Sequence, residues 1–588
     1  MKTIKNNKTI YLLTSLSIAV ALFFSSCTDG FEALNTNPLN PPYAEGTNPN
    51  PPVTPDVNED INLNKEIPQS ALEELKNNVA SIGSIFKKFT YEGLVNDYQR
   101  TTNLTHDIYA GYFANNHPSF NNNSPNYIYT EDWSGRRWGH FYKSRTTEYQ
   151  SLARTFFYVD KEKYHNAYYI TRIYYAFLAS TMTDTYGDMP FGELVQCKPK
   201  SEKMPFDTQE KVYDKIFRIL TQAADSIKPG QAGFKFTPSD DKCFGGDEEK
   251  WVRFANTLRL RLALRISNID PARAKKEGEA ALAHAVGMMR SQEDRMRTVP
   301  NYAPVAMGGE NEGGSENEVA NDSFRYLDAV MSKDIELGYK NLSSNIDPRC
   351  GICWFRPTPM ENLLRGKENP RKNFTGCEIG FTEVFRVSDD YSVLRVNAWE
   401  DKSVLRDDYW FGYSREYIWL GYAECKFLQA EAALRNWKGV NGTPEQLFKE
   451  GIRESMNYYH LSADKAEKYI NELKIYTGTE PNPFATNNKE GILEQIIIQK
   501  WLAVFPNGNE GWAEFRRTDY PRLRNHLTNR DSDIPVGKFI KRVRYPFAEE
   551  ATNGENMPKG VNQSTRLWWD VSDTNGAGGV RNTPNNFR

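Results

Sequence analysis

Apolar residues recur at intervals of three and four along most of the chain, which is the spacing of one face of an α-helix. Short connections separate the periodic segments, so successive helices are expected to pack as antiparallel pairs. No fixed repeat length is readable. The pattern predicts a mostly α fold, a scaffold of helix pairs, with helices at about 70–98, 138–158, 162–186, 207–228, 249–268, 271–290, 322–340, 415–437, 444–459, 462–475 and 489–505.

The segment at 249–268 shows the pattern most clearly. Its apolar stripe consists of Trp251, Ala255, Leu258, Leu262 and Ile266. A helix with one apolar stripe turns its charged residues toward water. The pattern therefore places Arg253, Arg259 and Arg261 on the wetter side of this helix.

The first residues follow a different pattern. Three lysines precede an apolar stretch at 10–24, whose apolar core is far shorter than the roughly 20 residues that cross a bilayer. This is the pattern of a signal peptide. The sequence Phe24-Ser25-Ser26-Cys27 resembles the lipobox of bacterial lipoproteins, which implies cleavage before Cys27 and lipid attachment to it. Ordinary secretion with an incidental cysteine is the alternative.

Composition divides the chain into three parts. Residues 1–26 are the predicted signal peptide. Residues 27–66 are rich in Asn, Pro, Thr and Asp, cannot bury enough apolar surface to fold, and are interpreted as the lipidated cysteine and a flexible stalk. The body covers 67–588, with helical repeats expected at about 67–290 and 413–520, a loop-rich insert at about 295–412 and a C-terminal segment at 521–588.

The net charge and the aromatic content indicate which kinds of ligand suit this protein. Loss of the signal peptide removes three lysines and no acid, which moves the net charge from −3 to −6. That balance argues against a nucleic acid, because phosphate binding needs concentrated Lys and Arg. Aromatic residues make up 13% of the chain, and Tyr and Trp suit surfaces that contact amphipathic ligands. A large aromatic core would give the same count.

Motifs for metals and catalysis are sparse. Cys350 and Cys353 have metal-like spacing without a second pair, so we expect a local disulfide or core cysteines. No zinc-protease, serine-hydrolase or phosphate-loop motif is present, although a glycosidase carboxylate pair is not excluded by counting. We expect no cofactor and no metal. Calcium is an alternative left open at two acidic pairs, Asp389-Asp390 and Asp407-Asp408.

Several stretches together resemble one family, the SusD/RagB outer-membrane lipoproteins of Bacteroidetes. They follow the family's order along nearly the whole mature chain. They are Cys27 to Glu32 with Asn35-Thr36-Asn37-Pro38, Tyr186-Gly187-Asp188-Met189-Pro190-Phe191, Trp251 to Arg261, Tyr422 to Ala433, Gln499-Lys500-Trp501, Gly511 to Arg517, Arg542 to Pro546, and Trp568-Trp569-Asp570.

The resemblance implies a helical body with four tetratricopeptide-like helix pairs and a loop-rich portion that binds the ligand. It also implies a lipid-anchored protein on the cell surface, at the outer membrane, whose partner is a SusC-like TonB-dependent transporter. Family ligands are mostly oligosaccharides, and some members bind peptides.

Two regions without helical periodicity, 103–133 and 295–412, carry the candidate ligand-binding residues. Sugar rings stack on aromatic faces, and their hydroxyls pair with planar polar groups. Both kinds of residue are present in these regions or border them. The candidates are Asn126, Tyr127, Tyr129, Asp132, Trp133, Arg136, Trp354, Phe355, Tyr409 and Trp410.

The function hypothesis is a non-catalytic surface lipoprotein that captures oligosaccharides and passes them to the transporter. A peptide-capturing member of the same family is the first alternative. A surface glycoside hydrolase is the second, and a purely structural helical scaffold is the third.

Overall fold

The structure is a computed structural model, and its described residues are 63, 67–91, 93–94, 97–115, 117–198, 200–201, 203–298, 328–363, 368, 370, 372–380, 390–397, 411–412, 416–535, 537–571 and 585–587. They belong to one compact unit, Ile61–Arg588. The predicted signal peptide, Cys27, the stalk, Tyr409 and Trp410 lie outside the described residues.

The described part of the chain is mostly helical, as the pattern predicts. None of its helices is both long and apolar enough to cross a bilayer. In chain order the helices are α1 Gln69–Asn77, α2 Ile82–Tyr91, α3 Glu131–Ser134, α4 Arg136–His140, α5 Thr146–Val159, α6 His165–Tyr186, α7 Gly192–Val195, α8 Gln209–Ser226, α9 Glu248–Arg265, α10 Pro271–Ala283, α11 Lys333–Asn341, α12 Pro348–Cys353, α13 Met360–Leu363, α14 Tyr422–Leu434, α15 Pro444–Tyr458, α16 Ala463–Glu472, α17 Lys474–Thr477, α18 Lys489–Val504, α19 Gly508–Thr518 and α20 Phe547–Asn553.

Neighbouring helices pack in pairs, which is the predicted helical scaffold. α5 packs on α6, α6 on α8, α9 on α10, and α14 on both α15 and α18. Many of these helices begin at a side chain that accepts a hydrogen bond from the first turn, which satisfies a backbone N–H group that has no partner within the helix. The capping residues include Thr208, Asp247, Asp270, Thr443, Ser462, Asn488 and Asn507.

Short strands and tighter or wider helical turns connect these helices. β1 Phe113–Asn115 pairs antiparallel with β3 Ala329–Met331, and β2 Met296–Thr298 pairs antiparallel with β6 Tyr417–Leu420. β4 Val396–Asn397 and β5 Phe411–Gly412 are parallel. Two π-helical segments occur, Gln99–Asp107 and Phe141–Arg145.

Several predicted helices have different bounds; the one predicted at 271–290, for example, ends at Ala283. The helix predicted at 70–98 is divided by a 3₁₀ turn at Asn78–Ser81 and ends at Tyr91. Within the segments predicted as helices at 322–340 and 415–437, the residues before α11 and α14 include strands β3 and β6. β-branched and aromatic residues such as Val330 and Trp419 favour strands, and both lie in the core here. Helix α19 was not predicted as a helix.

The prediction for α9 was wrong in one respect. Every residue from Trp251 to Arg265 is buried, so the helix has no wet side. Its arginines are paired with carboxylates instead: Arg253 with Asp294 at 3.0 Å, and Arg259 with Glu277 at 2.6 Å. A buried cation is tolerated when it is paired and hydrogen-bonded. Asp294 and Glu277 lie outside α9, and Arg253 also pairs with Glu249 within the helix at 2.8 Å.

One cluster of buried charges joins four helices. Its members, which we call the ion network, are Arg261 and Arg265 of α9, Glu424 and Glu431 of α14, Lys500 of α18, and Glu510, Glu514 and Arg517 of α19. Their side chains are 0–7% exposed. Four carboxylates therefore face four cations in the interior.

The pairs of the ion network are short and cross between helices. Arg261 bonds both oxygens of Glu424 at 2.6 and 2.8 Å, and Arg517 bonds both oxygens of Glu431 at 2.7 Å. Lys500 donates to Glu510 at 2.7 Å. Every member lies in or beside a sequence stretch that resembles a family motif, so these motifs meet in space as one cluster.

We expect Lys500→Met to destabilise the protein by about 3–5 kcal/mol, because it removes one cation from a buried and balanced cluster. Urea unfolding followed by circular dichroism measures the change. The control is Lys449→Met, which breaks a half-exposed pair with Glu445 within α15 at 2.9 Å and should cost about 0.5 kcal/mol. Equal losses in the two variants would contradict the assigned role of the network.

Acid should weaken the ion network. Burial pushes the pKa of Glu510 upward, but Arg265, Lys500 and Arg261 outweigh it and lower the pKa from 4.5 to about 2. A carboxylate whose pKa is lowered by folding stabilises the protein above its unfolded pKa, and that stability is lost as the pH falls. The free-energy difference between wild type and Glu510→Gln should therefore shrink between pH 4.5 and 2.

The matched control for acid sensitivity is Glu467→Gln. Its hydrogen bond to Arg453 also lowers the pKa of Glu467, but the pair is exposed and solvent screens it. Unfolding curves at a series of pH values should show a small and nearly constant difference for this variant. A constant difference for Glu510→Gln as well would contradict the prediction.

Candidate functional site

Four of the predicted ligand-binding residues are buried, and the structure removes them from a surface site. Asn126 and Tyr127 are each 1% exposed, Trp354 is 0% and Phe355 is 4% exposed. The Tyr127 ring stacks on His526 at 4.3 Å. These aromatic side chains fill the core because they bury large apolar areas there.

The surroundings of Trp354 and Phe355 explain their burial. The Trp354 ring lies 5.4 Å from the rings of both Phe113 and Phe505. The Arg395 guanidinium covers Phe355 at 4.4 Å. Neither ring has a face left for a ligand.

The other described candidates, Tyr129, Asp132, Trp133 and Arg136, lie in or beside helices α3 and α4. Trp133 is half-buried, and Asp132 and Arg136 are exposed. The Trp133 indole joins three further side chains. We call the set of Trp133, Phe120, His117 and Arg100 the Trp133 platform.

The rings of the Trp133 platform form a continuous half-buried aromatic surface. Phe120 lies 5.0 Å from Trp133 with an interplanar angle of 57°, and His117 lies 5.2 Å from Phe120. The Arg100 guanidinium lies 5.6 Å from the Trp133 ring centre, within cation–π range. Aromatic faces of this kind bind the C–H faces of sugar rings or other flat apolar groups.

Charged side chains form a rim around the platform. Arg136 pairs with Asp97 at 2.7 Å, and Arg100 lies 3.7 Å from Asp132 and 3.8 Å from Asp97. The Asp132 side chain is 82% exposed. The rim therefore offers both guanidinium donors and carboxylate acceptors to a ligand that lies on the rings.

Asparagine side chains shape the loop that carries Phe120. The Asn115 amide donates to the backbone of His117 at 3.1 Å and to Asn121 at 3.3 Å. Asn123 accepts from the Ser124 backbone and from the Thr130 hydroxyl, both at 2.7 Å. Side chains of this type replace backbone partners in tight turns, so this polar run has a structural role.

Tyr129 belongs to a second aromatic pair. Its ring meets Phe547 edge to face at 5.1 Å, and Phe547 is 47% exposed. The Tyr129 hydroxyl donates to Glu131 at 2.6 Å. Burial, together with the Glu131 carboxylate, raises the pKa of Tyr129 and keeps its proton on at neutral pH.

The structure describes the cysteine pair and part of the acidic residues that were considered as metal ligands. Cys350 and Cys353 are free, buried thiols in α12, which settles the alternative in favour of core cysteines. No group of three or more His, Cys, Asp or Glu is placed to hold a metal within the part of the chain that the structure describes. Of the acidic pairs considered for calcium, only Asp390 is described, and it lies 3.6 Å from Lys372.

Sequence reasoning missed half of the local arrangement. Arg100, His117 and Phe120 were not among the candidates, and neither was Asp97. Phe120 is the one large apolar side chain within the polar run His117 to Asn123, a signal that points to a partly exposed aromatic residue in a loop. Arg100 lies in the π-helical turn and Asp97 just before it, and neither gave such a signal, because tertiary contacts bring them to the site.

Comparison with solved structures finds proteins of the same fold. A chitin-binding SusD homolog from Flavobacterium johnsoniae is 27% identical with a TM-score of 0.65, and the match covers 85% of this chain and 100% of that one. A SusD homolog from Bacteroides vulgatus is 24% identical with a TM-score of 0.68, covering 84% and 99%. One from Parabacteroides distasonis is 23% identical with a TM-score of 0.68, covering 86% and 98%.

A search of curated proteins finds no match. A family model does match, over residues 54–570, which is most of the chain. The model covers the ion network, the Trp133 platform and the helix pairs that hold them. The chain therefore belongs to the SusD-like family, the SusD and RagB outer-membrane lipoproteins.

Proposed function

We propose that this outer-membrane lipoprotein captures oligosaccharides on the Trp133 platform and delivers them to a SusC-like TonB-dependent transporter. The observation that carries the proposal is the half-exposed aromatic surface of Trp133, Phe120 and His117 with its charged rim. Sugars need an apolar face and planar hydrogen-bonding groups at once, and this surface offers both.

The first ligands to test are chitin oligosaccharides. The Flavobacterium johnsoniae homolog is described as chitin-binding, and it is 27% identical to this chain over its whole length. N-acetylglucosamine units carry a flat apolar face and an amide. The apolar face of the sugar would stack on the rings of the platform. The Arg100 and Asp132 side chains would form hydrogen bonds with the amide and hydroxyl groups.

Binding rather than catalysis fits the carboxylates at the platform. Hydrolysis of a glycosidic bond needs two carboxyl groups across the bond, one of them protonated. Asp97 and Asp132 are instead both next to the Arg100 guanidinium, and Asp97 also pairs with Arg136. They serve as rim acceptors in the proposed function.

We expect Trp133→Ala to weaken oligosaccharide binding at least about tenfold, equivalent to about 1.4 kcal/mol, because it removes the central stacking surface. The melting temperature should change little, since the side chain is half-buried. Isothermal titration of the purified protein with chitin oligosaccharides, or with the best ligand from a glycan array, measures the effect.

The matched control is Trp568→Ala, which removes another half-buried tryptophan. Trp568 lies 5.8 Å from Tyr213 of α8 and has no contact with the platform among the described residues. Its loss should leave binding unchanged. Equal weakening by both substitutions would show that Trp133 has no specific role.

The same screen decides between the ligand classes. Binding to a peptide library and to no glycan would replace the proposal with the peptide-capturing alternative. Release of reducing sugar by the purified protein would replace it with the glycoside hydrolase. Trp133→Glu puts a charge on the stacking surface. It should abolish glycan binding whether the protein only captures the glycan or also hydrolyses it.

The proposed anchor is lipid on Cys27, followed by the stalk at 28–66. Cys27→Ser should remove lipidation and release the protein from the outer-membrane fraction, because no acyl chain then holds it. Fractionation of cells followed by immunoblotting measures the change. Substitution of Thr28, the next residue, is the control and should leave the protein in the membrane fraction; release of both variants would contradict the assignment.

A further inference from the structure

A small, partly open cavity lies between α6, α9 and α19. Thr185 and Asp184 of α6, Arg265 of α9, and Asn509 and Arg516 of α19 all contribute to its lining, together with His106. Its size matches water-sized molecules or a single small ion. Most of the lining residues have polar or charged side chains, several of them deeply buried, and Phe177, Leu262 and Trp419 add apolar surface.

The charges around this cavity do not balance. The ion network holds four carboxylates and four cations. Two neighbouring charges of opposite sign, Asp184 at 3.4 Å from Arg265 and Arg435 at 2.9 Å from Glu431, leave it neutral. Two further buried arginines, Arg137 and Arg516, are each 2% exposed. Neither has a carboxylate oxygen within 4.0 Å among the residues that the structure describes. An unpaired buried cation is costly, so both guanidinium groups call for a compensating charge.

Arg516 makes contacts that leave one of its nitrogens without a partner. Its Nε donates to the Trp512 carbonyl at 3.2 Å, and Nη1 donates to the Lys541 carbonyl at 2.9 Å. The guanidinium lies over the Trp512 ring at 3.5 Å. Within the described residues Nη2 has no acceptor, and Arg516 lines the cavity.

The carboxylates that act on Arg516 are engaged by other donors. Asp184 accepts from Tyr213 at 2.5 Å and from the Trp569 indole at 2.8 Å. Asp570 faces two cations, Lys541 at 3.1 Å and Arg566 at 2.6 Å. Burial lowers the pKa of Arg516 to about 9, which is the effect of a cation without a close counter-ion.

Arg137 approaches the same cavity through Asn509. It donates to the Asn509 side-chain oxygen at 2.5 Å and to Thr101 and Thr102, all of them neutral acceptors. Asp107 acts on Arg137, but burial raises the pKa of Asp107 to about 8, so that it is largely neutral at pH 7. Burial lowers the pKa of His106, and both arginines lower it further, so the region is positive.

We propose that this cavity is a binding site for one small monovalent inorganic anion, of which chloride is the available physiological example, held by the Arg516 guanidinium. The Asn509 side-chain amide lies on the same lining and is a further donor to the anion. The anion neutralises a surplus cation inside the fold. It is independent of the Trp133 platform and of the proposed ligand.

Bromide is the probe, because it replaces chloride and scatters anomalously. Crystals of the purified protein grown with sodium bromide should show an anomalous peak in the cavity, within hydrogen-bond reach of Arg516. In solution, the melting temperature should rise by about 2 °C or more when chloride replaces gluconate at equal ionic strength, and the rise should saturate.

The variant Arg516→Met removes the binding group, and its melting temperature should no longer depend on which anion is present. If that variant does not fold, the anomalous map of the wild-type protein decides alone. Anomalous peaks confined to the surface, or a wild-type melting temperature that is the same in chloride and gluconate, would overturn the proposal and assign the cavity to water.

Discussion

The ion network of α9, α14, α18 and α19 is the constraint on which the rest of the fold depends. Each of its charges would be costly to bury alone, and each becomes tolerable only when helices from distant parts of the chain meet in one register. Arg261 and Glu424 are separated by 163 residues, yet they form two hydrogen bonds. Apolar residues at these positions would bury equally well in many alignments. The charges can form their pairs in only a few alignments of the helices. The ion network therefore specifies how these helices pack.

The proposed binding surface depends on that packing through α19. The Gly508 N–H, at the start of α19, donates to Asp107 in the π-helical turn at 2.9 Å, and Asn509 accepts from Arg137 of α4. The π-helical turn carries Arg100, and α4 directly follows the short helix that carries Trp133. Contacts with the core therefore position the aromatic rings and the charged rim. Such preorganisation suits a surface that binds its ligand without rearrangement.

Sequence patterns predicted the helices well because helical periodicity is local. They failed on Arg261 of α9, since a single stripe assigns charges to solvent and the partner Glu424 lies far along the chain. The same limit applied to the site. Trp133 and Asp132 were predicted from their mixed chemistry, whereas Trp354 and Tyr127 have similar neighbours in sequence and are buried. Which aromatic residues fill the core is decided by tertiary contacts that no local window contains.

The stretches that resemble the family and the proposed binding surface consist of different residues in this chain. The ion network lies in and beside the stretches that resemble the family, so those stretches join the helices of the scaffold. Trp133, Phe120 and Arg100 lie outside all of those stretches. A change at the platform would leave the ion network intact, so the ligand can vary while the scaffold stays the same. The proposed ligand therefore follows from the rings and charged rim of the Trp133 platform rather than from the scaffold.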